Sequence, residues 1–100
     1  MKQYLLLMHQ DAIDPAAADD ADAWGRYLAA LRSSGQFDGG SAIGAGETLR
    51  KGHAAREATT PISGFLRIRA ADLDGAKGFL AGNPAYEAGA TVEIRTLPED

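Results

Sequence analysis

The stretch Ile62–Leu97 constrains the fold more than any other part of the chain, because it reads without a break as strand, capped helix, Asn-Pro turn and second strand. Ile62, Gly64, Leu66 and Ile68 alternate with Phe65, Arg67 and Arg69, the period of a strand. Asp72 is placed to cap the helix that follows. Leu73, Ala76 and Leu80, with Lys77 alongside, form its apolar stripe; Gly82 ends it and Pro84 prevents its continuation. Val92 and Ile94 then alternate with Glu93 and Arg95, which predicts a last strand with one face toward water.

Upstream, Tyr4-Leu5-Leu6-Leu7-Met8 is apolar at consecutive positions, the pattern of a strand covered on both faces and therefore central in its sheet. Trp24, Tyr27, Leu28 and Leu31 recur at helical spacing until Gly35 offers a left-handed cap, predicting a helix from Asp19 or Asp20 to Ser33 with an acidic start that suits the helix dipole. Phe37–Leu49, with Gly39-Gly40, Gly44 and Gly46, suggests a bent strand leading into a hairpin arm. Arg50–Thr60 is polar and turn-forming and is expected to be a loop, the least ordered part of the chain.

The resulting order, strand-helix-strand-arm-strand-helix-strand, is the split β-α-β plan: an α+β, ferredoxin-like βαββαβ fold with an antiparallel sheet and two helices on one face. One hundred residues, 45% of them hydrophobic, suffice for one core and one domain spanning 1–100. The open sheet face would need covering, and a homodimer packed sheet to sheet covers it most economically. A net charge of −4 and scattered Lys and Arg residues argue against nucleic acid as a partner. The absence of cysteine excludes disulfides and thiolate chemistry and suits a reducing compartment. The short apolar run after Lys2 is too brief for a signal-peptide core or a membrane span, so a soluble, cytoplasmic protein without membrane partners is expected.

Lys2-Gln3-Tyr4-Leu5-Leu6-Leu7, Ser63-Gly64-Phe65-Leu66-Arg67-Ile68, Ala71-Asp72-Leu73-Asp74, Asn83-Pro84, Gly89 and Val92-Glu93-Ile94-Arg95 together resemble the YCII-related family, including its DGPF-type members. The resemblance covers both ends of the chain, the middle matching only in its glycines, and it implies a dimeric α+β barrel. Members of the YciI kind carry a His on the first helix and an Asp before a Pro after the second, proposed as a catalytic pair. Counted back from Gly35, the His position falls on Trp24 here, and the Asp position falls on Asn83. Indole has no basic nitrogen and an amide is no carboxylate base, so that pair cannot operate. The Asp-Gly-Pro-Phe signature is also absent, Ala58-Thr59-Thr60-Pro61 standing in its place.

The remaining candidates each have a plainer reading beside the functional one. His9, with Asp11 and Asp14 nearby, is the weak candidate for a general base oriented by a carboxylate; the plainer reading is a solvated loop histidine. A metal site from the same three residues lacks regular structure to fix its ligands, and no metal or cofactor is expected. His53 reads as an exposed loop residue. Trp24 and Tyr27 suit the wall of a small-molecule pocket as well as plain core. Asn83 and Tyr86 offer hydrogen-bonding groups at a cleft mouth, although Asn before Pro is ordinary turn chemistry. The glycine pairs around Ser41 and Ala45 read as strand bends rather than phosphate cradles. Arg67 on a central strand must reach either the dimer partner or a pocket anion, and an interfacial ion pair with Glu93 or another acid is the plainer reading. The sequence thus points to a small-molecule-binding homodimer, with a lyase or isomerase using His9 on a small, possibly aromatic, metabolite as the alternative.

Overall fold

Strict alternation along the first strand decides which side of the sheet becomes the core. In the computed structural model, which describes residues 1–59 and 61–99, β1 (Lys2–His9) buries Tyr4, Leu6 and Met8 and leaves Leu5, Leu7 and His9 only half-buried. The sheet is antiparallel with four strands in the order β2 (Phe37–Ala42), β5 (Ile62–Ala70), β1, β6 (Val92–Leu97), so β1 and β5 are central as expected. Tyr4 pairs with Ile68 and Leu6 with Leu66, which puts Leu66, Ile68 and Ala70 on the same buried face. Leu6 and Ile68 are fully shielded from water, each burial stabilising the fold by about 2 kcal/mol.

Helix α2 (Ala21–Ser34) covers that face and delivers Tyr27 and Leu31 into the core. Asp20 caps its first turn by accepting from the Asp22 and Ala23 amides at 2.9 and 3.2 Å, and Gly35 closes it at φ 71°, a left-handed conformation that suits glycine. Before it lies the short α1 (Pro15–Ala18), capped by Asp14. Asp72 caps α3 (Leu73–Lys77) as expected, and a 3-10 turn (Gly78–Leu80) continues it. Within its stripe Ala76 is buried whereas Leu73 is exposed.

Two local expectations are corrected. Pro84 does more than stop a helix: it occupies the first turn of α4 (Pro84–Glu87), where proline's missing N–H costs nothing and Asn83 provides the cap. Arg50–Thr60 is not wholly loop either, because Arg56–Glu57 (β4) pairs with Glu47–Thr48 (β3) in a separate two-stranded arm. Thr48 Oγ1 donates to the Glu57 carbonyl at 3.3 Å and the Ala58 amide to the Gly46 carbonyl at 3.2 Å, bonds that the polar composition of this segment hides. Thr60 lies outside the described residues.

The face of the sheet away from the helices carries Leu5, Leu7, Phe65, Arg67, Arg69, Glu93 and Arg95, cross-strand neighbours by register. Arg67 donates to Gln3 Oε1 at 3.3 Å, not to Glu93, which Arg95 engages at 3.0 Å. Within one chain Glu93 stands opposite Leu7, whereas Arg67 and Arg95 flank Leu5. Arg69 is clamped by Asp38 at 3.0 Å and by the Gly35 carbonyl at 2.6 Å. Among the described residues no helix is long and apolar enough to cross a membrane.

Candidate functional site

Helix α2 presents two adjoining rows. Tyr27 and Leu31 go into the core, while Trp24, Leu28 and Arg32, each four residues apart and hence stacked on one face, line a cavity of about 770 Å³. Met8 from β1, Phe37 and Gly39–Ala42 from β2, and Ser63–Leu66 from β5 complete its walls. The volume lies within the about 300–1,000 Å³ of small-molecule sites, and a mainly apolar lining with few polar groups is their usual character.

Trp24 is fixed at the cavity wall by local contacts. Its indole N–H donates to the Ala18 carbonyl at 2.7 Å, and its ring meets Tyr27 edge-on with centroids 5.7 Å apart. The opposite wall depends on glycine. The register of β2 against β5 shifts between Phe37 and Gly40, and Gly39 adopts φ 102°, so the expected strand bend is present. A Cβ on Gly40 would sit 2.3 Å from the Phe65 carbonyl oxygen, so only glycine lets β2 lie this close to β5.

His9 is the last residue of β1, not a loop residue beyond it, and it also borders the cavity. Alternation sets its ring on the side of the sheet away from the helices, where Nε2 lies 3.2 Å from Glu93 Oε1. The neighbouring acids are engaged elsewhere. Asp11 accepts from the Thr91 hydroxyl at 2.6 Å and the Thr91 amide at 2.7 Å, bonds that hold its carboxyl below the ordinary aspartate range, and Asp14 caps α1. The carboxylate beside His9 is therefore Glu93, which lies 84 residues away in sequence.

Tyr27, Asn83 and Tyr86 are not part of the cavity lining. The Tyr27 hydroxyl donates to the Phe79 carbonyl at 2.6 Å, and burial pushes its phenol up while the neighbouring Asn83 amide pulls it partly back. Asn83 is completely buried; its Oδ1 accepts from the Tyr86 amide at 3.0 Å, and its Nδ2 lies beside Tyr27 without an acceptor at hydrogen-bond geometry. Tyr86 is 47% exposed and His53 is fully in the exposed arm. Among the described residues no group of three or more His, Asp or Glu is placed to hold a metal ion.

Of the residues singled out from the sequence, Trp24 lines the cavity and His9 borders it with its ring turned to the other side of the sheet, while Arg32, Phe37 and Met8, not singled out, also line it. The signal for Arg32 was present, because positions 24, 28 and 32 fall on one helical row. No protein-family model matches the chain, and no curated protein matches it significantly. Among solved structures, the 5-chloro-2-hydroxyhydroquinone dehydrochlorinase TftG from Burkholderia phenoliruptrix AC1100, in complex with 2,5-dihydroxybenzoquinone, is similar with a TM-score of 0.61 at 17% identity over 98% of this chain and 95% of that one. At that identity the likeness speaks for the fold alone: a ferredoxin-like α+β fold with a four-stranded antiparallel sheet.

Proposed function

We propose that residues 1–100 form one YCII-related domain that works as a cytoplasmic homodimer and binds a small planar metabolite in the cavity beside α2. The observation that carries this reading is the cavity itself, apolar along Trp24 and Leu28, with the indole N–H already satisfied by the Ala18 carbonyl. The half-buried Leu5, Leu7 and Phe65 on the uncovered side of the sheet support a second copy as its cover. Trp24 and Asn83 stand where the family's proposed His/Asp pair would be, so binding does not draw on that pair.

Trp24 is the only tryptophan, which makes its fluorescence a local reporter. A panel of small aromatic and quinonoid metabolites is expected to contain compounds that quench it and raise the melting temperature together. A panel that does neither sinks the binding reading.

The second reading is a lyase or isomerase acting on a small aromatic metabolite, with His9 as the base. It is supported by the contact of His9 with Glu93, a carboxylate able to orient the ring and stabilise an imidazolium, and by the similarity to an enzyme named as a dehydrochlorinase. Chloride release from 5-chloro-2-hydroxyhydroquinone tests one case. Release by the wild-type chain that is lost in His9→Asn favours this reading, and equal release by both proteins removes His9 from it.

A further inference from the structure

We propose that Arg32 selects anions: the cavity accepts a planar aromatic or quinonoid acid whose charged group faces Arg32 at the β2 end. This rests on the reading of the cavity as a ligand site. Among the described residues, Arg32 is the only Lys or Arg in the cavity wall. It makes no ion pair among the described residues, in contrast to Arg69, held by Asp38, and Arg95, held by Glu93. Among the described residues the one carboxylate in the lining, Asp19, precedes the opposite end of α2. From Ala21 to Arg32 the helix rises about 16 Å at about 1.5 Å per residue, and Asp19 lies before that start, so the two polarise the cavity instead of neutralising each other.

Between the two ends the wall is apolar, with Trp24 and Leu28 on the helix side. A flat ring placed there has its acid group next to a guanidinium whose planar fork matches a carboxylate in two parallel hydrogen bonds. Gly39, in the wall at that end, has open space where a Cβ would stand. A helix C-terminus also attracts a cation, so Arg32 has a structural reason to be where it is. That role alone confers no selectivity between a charged and a neutral ligand, and this difference can be measured.

Calorimetric titration of the full chain with benzoate and with its neutral analogue benzamide, on wild type and Arg32→Gln, tests the assignment. Wild type is expected to bind benzoate at least about tenfold more tightly than benzamide, the size of a charge-assisted hydrogen-bond pair. Arg32→Gln is expected to lose that preference through weaker benzoate binding, with benzamide unchanged and the melting temperature close to wild type. Equal affinities in wild type, or a preference that survives in Arg32→Gln, overturns the anion assignment while leaving the cavity a ligand site. If neither compound binds wild type, the cavity reading falls and the assignment with it.

Discussion

Asn83 concentrates the cost and the use of a buried polar group. Its Oδ1 caps α4, and its Nδ2 is shielded from water beside the Tyr27 hydroxyl. Asn83→Ala is expected to cost about 1 kcal/mol from the lost cap, plus a packing loss, read as a lower urea midpoint at unchanged slope. Tyr27→Phe leaves the Phe79 carbonyl without its donor and is expected to cost a further amount of the same order, about 1 kcal/mol. Asp11 gives a pH signature. Its folded carboxyl titrates below the unfolded one because the Thr91 hydroxyl and amide stabilise the charged form. The stabilisation is present above the unfolded aspartate pKa and lost as pH falls through the folded one. Thr91→Val is expected to move the Asp11 carboxyl resonance titration upward toward ordinary aspartate and to flatten the acid limb of the stability curve. An unchanged Asp11 titration would remove Thr91 as its cause.

At the scale of elements, the two ends of the chain were legible because each carries its own period and its own caps: Asp72 before α3, Gly35 after α2, alternation in β5. What the sequence withheld is what depends on register between distant strands. Glu93 meets His9 only because β6 pairs with β1 one residue pair short of the strand end, and Asp11 and Asp14, nearer in sequence, are taken by Thr91 and by the α1 cap. The cavity was half visible, through Trp24, since a residue at the end of a helix such as Arg32 is equally well explained by the dipole. The arm was hidden for a different reason: β3 and β4 are too short and too polar to show a strand period. Docking of β2 can be tested directly. Gly40→Val places bulk against the Phe65 carbonyl and Leu66, and it is expected to detach β2, seen as lost protection of the Ile43 and Arg69 amides from hydrogen exchange, while the β1–β5 amides stay protected.

The whole molecule is a slab, 46 × 39 × 19 Å, with one layer of sheet and one of helix. Its radius of gyration of 14.7 Å exceeds the about 13 Å typical of a 100-residue domain, as a two-layer shape with a projecting arm requires. Such a slab leaves one sheet face uncovered, and the self-association we propose follows from covering it. Light scattering is expected to give twice the chain mass, and Leu7→Lys, on that face and outside the helix-side core, is expected to give a folded monomer. A wild-type chain that scatters as a monomer would remove the dimer.

The cavity beside α2 is where these scales meet, and a crystal structure with benzoate soaked to saturation tests it most directly. The expected result is ring density against Trp24 and Leu28 with the carboxylate toward Arg32. Benzoate found only on the open sheet face, or an empty cavity at saturating ligand, would contradict it.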